Sequence, residues 1–132
     1  MIAALLMLAQ IALAPAEPKP IETTIAAIHA NPTKFDGQVV RLHGWVNRCA
    51  RLSCSIDERS ASTTQGAGLH LSIATDDKFD KIIGPLLPTA VEFDARINAS
   101  CLTRQVCLDR GPEITITKLR GVVSAEPPAI EN

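Results

Sequence analysis

Apolar and polar residues alternate along most of this chain, and that alternation predicts β-strands. In the longest run, every second residue from Val91 to Ala99 is apolar, and charged or amide side chains fill the positions between them. A period of two is typical of a strand with one buried face. Five strands are predicted on this basis: residues 38–47, 52–57, 69–74, 91–99 and 114–123.

Two shorter stretches have helical periodicity instead. Ile21, Ile25 and Ile28 recur at helical spacing, and this first helix must end before Pro32 because proline disfavours helical backbone in the residue before it. A second helix is predicted after residues 75–77, whose sequence Thr-Asp-Asp is a helix-start signal. A glycine–proline pair ends it.

The predicted order is helix, three strands, helix, two strands. This is the element order of the oligonucleotide/oligosaccharide-binding (OB) fold, a five-stranded, partly open barrel. Gly44 lies inside the first strand, where glycine permits a sharp bend or a close backbone approach. We therefore expect an all-β fold with short helices, a five-stranded OB-fold barrel preceded by an N-terminal helix. A plain β-sandwich is the alternative, but it would need more strands and no internal helix.

One segment also resembles a known group of proteins. Residues 25–46 read IAAIHANPTKFDGQVVRLHGWV. This run resembles the opening of small exported bacterial OB-fold proteins, in which a helix, an NP-x-x-aromatic-D-G turn and a V-x-V-x-G strand recur. The resemblance implies the fold, and it carries over no functional residue.

The first residues predict export. Residues 1–16 contain no charged side chain and end in Ala14-Pro15-Ala16, a small-residue pattern typical of signal-peptide cleavage. The run is too short for a membrane span, which needs about 20 apolar residues. We expect a signal peptide at 1–16, an OB-fold domain at 17–124 and a flexible C-terminal tail at 125–132. The mature protein should be periplasmic or secreted and monomeric, with no stable membrane insertion.

Four cysteines remain in the predicted mature chain: Cys49, Cys54, Cys101 and Cys107. An even number in a small exported domain indicates two disulfides. Each pair brackets the turn of a predicted hairpin, so the local bridges Cys49–Cys54 and Cys101–Cys107 are the simplest pairing. A crossed bridge such as Cys49–Cys107 stays open, because sequence does not fix connectivity. The spacings do not match the Cys-x2-Cys of zinc ribbons or redox motifs.

A small basic cluster is the best candidate for a binding site. Arg41 and Trp45 share one face of the first predicted strand, Arg48 and Arg51 lie at the following turn, and Arg104 lies in the last long loop. In an OB barrel the two loops would meet at one rim. The sequence therefore predicts a non-enzymatic binding module, with an envelope protein, a peptide or a glycan as partner, and it indicates no catalytic residue, metal or cofactor.

Two other functions use the same region. Single-stranded nucleic acid or an oligosaccharide could bind the first-strand face and the rim loops. Nucleic acid is disfavoured, because the chain has one Trp, three Phe and no Tyr, and its net charge is -1. A secreted metal-dependent enzyme could use His43 and His70, although isolated strand histidines are more often solvated.

Overall fold

The computed structural model describes residues 19–104 and 111–123. Within these residues the strands are β1 (Ile21–Glu22), β2 (Val39–Ala50), β3 (Ser53–Asp57), β4 (His70–Ala74), β5 (Thr89–Asn98) and β6 (Glu113–Val123). The α-helices are α1 (Ile25–Ala30), α2 (Asp77–Ile83) and α3 (Ser100–Arg104), and short 3-10 helices occupy Pro32–Phe35 and Gly84–Leu86. The predicted signal peptide and C-terminal tail lie outside the described residues.

All six strands belong to one mixed sheet, so the prediction of a mostly β protein is confirmed. The strand order is β1-β2-β3-β4-β6-β5, and β2 pairs with β5 as well. The β1–β2 and β4–β6 pairs are parallel, and the other pairs are antiparallel. Each of the five predicted strands forms, because its inward residues supply the buried face.

The inward residues of these strands meet in one apolar cluster. Val40, Leu42, Leu71, Phe93 and Ile116, one or two from each of four strands, all belong to it. Burying a large apolar side chain completely contributes about 1.5–3 kcal/mol to folding. The helices α1 and α2 cover the cluster with their own buried apolar residues.

Side chains cap the first turn of both α1 and α2. Thr24 Oγ1 accepts a hydrogen bond from the backbone N–H of Ala27 at 3.0 Å, and Asp76 Oδ1 accepts one from that of Phe79 at 2.7 Å. These bonds satisfy amides that a helix leaves unpaired in its first turn.

No helix among the described residues combines the length and the apolar character needed to cross a membrane.

Three elements differ from the sequence-based prediction. Leu52 is an exposed turn residue with φ 60° and not part of a strand, because Ala50 pairs with Ser53 and leaves a two-residue turn. Ile21 does not extend α1; it pairs with Val40 in the short parallel strand β1. The helix α3 forms where a loop was predicted.

Candidate functional site

Arg41, one of the predicted binding residues, is held by carboxylates. It lies on the outer face of the sheet, the side away from the apolar cluster. Its Nε donates to Oδ1 of Asp94 at 3.0 Å and lies 3.7 Å from Oε1 of Glu92. The guanidinium is therefore part of an ion-pair network between β2 and β5 and is not a free cation for a ligand.

The other predicted binding residues spread along the outer side of β2 and beyond. Trp45 is half-buried and pairs in register with Asp57 and Ala90, and Arg48 is exposed. Arg51 lies at the hairpin turn, about 20 Å along the chain from Trp45 at about 3.3 Å per residue. Arg104 is the last residue of α3, and its side chain lies outside the described residues. The structure does not bring Trp45 and Arg51 together.

Arg48 instead lines a groove on the outer face of β2, β3 and β4. This groove, called the polar groove after the side chains that the three strands contribute, has a volume of about 570 Å³ and is also lined by Ala61, Ala67 and Pro88. Its polar lining from the three strands consists of Asn47, Arg48, Ser55, Asp57 and His70. The segment that connects β3 to β4 forms its border.

A β-bulge builds this groove. The β2–β3 register shifts between Val46 and Arg48, which leaves Asn47 as the extra residue. Nδ2 of Asn47 donates to Oδ2 of Asp57 at 2.6 Å and to the carbonyl of Arg59 at 3.0 Å. Oδ1 of Asn47 accepts from the backbone N–H of Ala61 at 2.9 Å. One amide side chain thus fixes both the Asp57 carboxylate and the connecting segment.

The groove offers both hydrogen-bond donors and hydrogen-bond acceptors. Asp57 is 8% exposed and also accepts a hydrogen bond from Ser55 Oγ at 3.1 Å, so its carboxylate is oriented and partly compensated. Arg48 forms no ion pair with any described carboxylate. An oriented acceptor beside a free guanidinium can recognise a ligand that carries several hydroxyl or amide groups.

The two histidines considered for a metal site lie apart. The His43 side chain is 62% exposed, and its Nε2 lies 3.8 Å from Oε2 of Glu92. His70 is two strands away from β2 in the sheet, a separation of roughly 10 Å at the usual strand spacing. In residues 19–104 and 111–123, no group of three or more His, Cys, Asp and Glu side chains could hold a metal ion.

The acidic residues near α2 have structural partners. Asp76 caps the helix. Oδ2 of Asp80 accepts from the backbone N–H of Leu52 at 2.9 Å, and its Oδ1 accepts from Thr75 Oγ1 at 2.6 Å. The bond from Leu52 attaches the tip of the β2–β3 hairpin to α2.

The predicted bridge Cys49–Cys54 is confirmed. The two residues face each other across the β2–β3 hairpin with a Cα–Cα distance of 4.1 Å, and their sulfur atoms are bonded. This bond rules out the crossed pairing of Cys49 with Cys107. Cys101 is disulfide-bonded as well, and its predicted partner, Cys107, lies outside the described residues.

Sequence reasoning missed most of the polar groove. The signal was present in the segment Ser55-Ile56-Asp57, where the inward Ile56 places both polar neighbours on the outer face. The role of Asn47 left no comparable signal, because it depends on a bulge.

No known protein family model matches this chain, and no curated protein is significantly similar to it.

Proposed function

We propose that this chain is an exported, non-enzymatic binding module with an OB-fold, and that its ligand is an oligosaccharide held in the polar groove. The strand pairing supports the fold. With β1 set aside, β2 pairs with β3, β3 with β4, β4 with β6, β6 with β5, and β5 again with β2. Such a cycle of five strands is what an OB barrel requires.

The position of the polar groove carries the proposal. Within the cycle, β3 and β4 are the second and third strands, and the groove lies on their outer face beside β2. The corresponding face of OB-folds binds oligonucleotides and oligosaccharides. The groove volume of about 570 Å³ is also within the usual size of a small-ligand site.

The groove chemistry favours a sugar over a nucleic acid. Single-stranded nucleic acid needs aromatic platforms along a positive path. Here the Asp57 carboxylate would repel phosphates, and no Trp, Phe or Tyr among the described residues lines the groove. Sugar hydroxyls can both donate to Asp57 and accept from Arg48.

The disulfide supports export. Stable disulfides form in oxidising compartments such as the periplasm or the extracellular space, and Cys49–Cys54 is such a bond.

The metal-dependent enzyme would need His43 and His70 in one site, and their separation in the sheet disfavours it.

An NMR titration tests the proposal. The purified full chain is titrated with a panel of neutral oligosaccharides, and a single-stranded oligonucleotide is the competing probe. We expect saturable shifts at Ser55 and His70 with at least one sugar. Arg48→Ala should weaken that binding about tenfold or more, since a hydrogen bond to a charged group contributes about 1.5–3 kcal/mol.

Lys81→Ala, an exposed cation on α2, is the matched control and should bind like the wild type. The proposal fails if no sugar in the panel shifts the groove resonances at millimolar concentration. It also fails if the oligonucleotide binds there and the sugars do not.

A further inference from the structure

A second groove lies on the outer face of β5 and β6 and shares no residue with the polar groove. It has a volume of about 550 Å³. Its lining includes Val39 of β2, Asp94 and Arg96 of β5, and Thr117, Lys118 and Arg120 of β6. We propose that this cationic groove binds a phosphate group, which would give the protein a second site independent of the oligosaccharide site.

Two irregularities in the β5–β6 pairing create the cationic groove. Ile114 and Ile116 point inward, and strict alternation would send Lys118 and Arg120 inward as well. The register shifts between Asp94 and Ala95, and again between Glu92 and Phe93. Each shift inserts an extra residue in β6, so both basic side chains reach the outer face.

Asp94 positions one of the cations. Its Oδ2 accepts from Arg120 Nε at 2.9 Å and from Nη2 at 2.6 Å, and its Oδ1 accepts from Arg41. Two arginines thus compensate one carboxylate that is only 3% exposed. The Arg120 guanidinium is fixed in orientation, and its Nη1 forms no hydrogen bond with the described residues.

The remaining cations are uncompensated. Neither Arg96 nor Lys118 forms an ion pair with a described carboxylate. Nη1 of Arg96 donates to the carbonyl of Gly37 at 3.2 Å, which holds the side chain along the sheet. Arg96 and Lys118 therefore add positive charge beside an Asp94 carboxylate that Arg120 and Arg41 already compensate.

A phosphate group fits this arrangement. Asp94 occupies Nε and Nη2 of Arg120, so Arg120 offers Nη1, whereas Arg96 can donate from Nε and Nη2 to phosphate oxygens, and Lys118 adds a point charge. The exposed hydroxyl of Thr117 supplies another donor for a remaining oxygen. A tetrahedral oxyanion can use donors from several directions at once, as these residues on two strands require.

Titration of the full chain with inorganic phosphate at constant ionic strength tests the site, with chloride as the comparison anion. We expect saturable NMR shifts at Thr117 and Lys118 with phosphate and not with chloride. Lys118→Ala should weaken phosphate binding about tenfold, and Lys81→Ala, an exposed lysine on α2, should leave it unchanged. Equal shifts with chloride, or wild-type affinity in Lys118→Ala, would overturn the proposal.

Two further probes identify the source of the phosphate. Cosedimentation with vesicles of phosphatidylglycerol, but not of phosphatidylcholine, and its loss in Lys118→Ala would identify a lipid headgroup. Binding of glycerol phosphate, which carries no sugar ring, without vesicle binding would identify a soluble ligand. Arg48→Ala, in the polar groove, should affect neither probe, so the two proposed sites can fail separately.

Discussion

A side chain at position 44 would collide with the neighbouring strand. A Cβ added to Gly44 would lie 2.6 Å from Cγ1 of Ile56 and 3.0 Å from the backbone oxygen of Asp57. Ile56 is fully buried and has little room to move. We expect Gly44→Ala to lower the free energy of unfolding by about 1–3 kcal/mol, the usual cost of overpacking.

Urea denaturation measures this effect, and Gly121→Ala is its control. Gly121 is also a strand glycine, but an added Cβ would have no atom within 4 Å. The control should change stability by less than about 1 kcal/mol. Equal effects of the two substitutions would show that close approach is not the reason for glycine at position 44.

Single residues differ in how much the sequence reveals about them. The close approach at Gly44 could be predicted, because a glycine weakens a strand interior and commonly marks a bend or a nearby backbone there. Alternation correctly places Asp94 on the outer face, but it does not predict the burial of Asp94, which depends on Arg120, 26 residues further along. The sequence does not reveal that Arg41 and Arg120 both pair with Asp94, because the three residues lie on three different strands.

At the scale of elements, the β2–β3 hairpin depends on its disulfide and on its contact with α2. The bridge Cys49–Cys54 closes a short loop, and the chain-entropy estimate for a loop of about six residues is about 2 kcal/mol. We expect the double variant Cys49→Ala/Cys54→Ala to lose about that much unfolding free energy while it keeps its β-sheet circular dichroism.

The double variant isolates this hairpin, whereas a reductant would also reduce the disulfide of Cys101. Urea denaturation of the oxidised wild type and of the variant gives the difference. The hydrogen bond from the Leu52 amide to Asp80 should keep the hairpin tip in place. Loss of the folded transition in the variant would mean that the bridge is essential to the sheet, against this expectation.

Elements with a strong pattern could be predicted, and elements without one could not. The five long strands follow from period-two burial, and the start of α2 follows from its cap, Asp76. The strand β1 was missed because it has only two residues, which pair with two residues of β2. The helix α3 was missed because five residues are too few for a periodic signal.

At the scale of the whole molecule, the core was easier to predict than the sites. Val40, Leu42, Leu71, Phe93 and Ile116 are all apolar residues on the inward face of their strands, and they meet in one cluster. Burial depends on which face of a strand a residue occupies, and the alternation of apolar and polar residues along the sequence indicates that face directly. Both grooves instead depend on register shifts and on contacts between distant segments, which alternation does not record.

Asp94 connects three strands and should make the whole fold sensitive to acid. Burial raises its pKa, but the hydrogen bonds from Arg120 and Arg41 lower it more, and the pKa lies below its ordinary value of 3.8. A carboxylate with a lowered pKa in the folded state stabilises the protein above its unfolded pKa. This contribution is lost as the pH falls through the folded pKa.

Asp94→Asn should therefore destabilise the protein in a pH-dependent way. At pH 7 we expect Asp94→Asn to unfold at a lower urea concentration than the wild type, because Arg41 and Arg120 lose the carboxylate that accepts their hydrogen bonds. The difference from wild type should stay constant above about pH 5 and shrink below about pH 4, where wild-type Asp94 begins to bind a proton. Urea denaturation at several pH values measures it, with Asp77→Asn at the exposed start of α2 as control. A difference that is as large at pH 2 as at pH 7 would show that the charge of Asp94 does not stabilise the sheet.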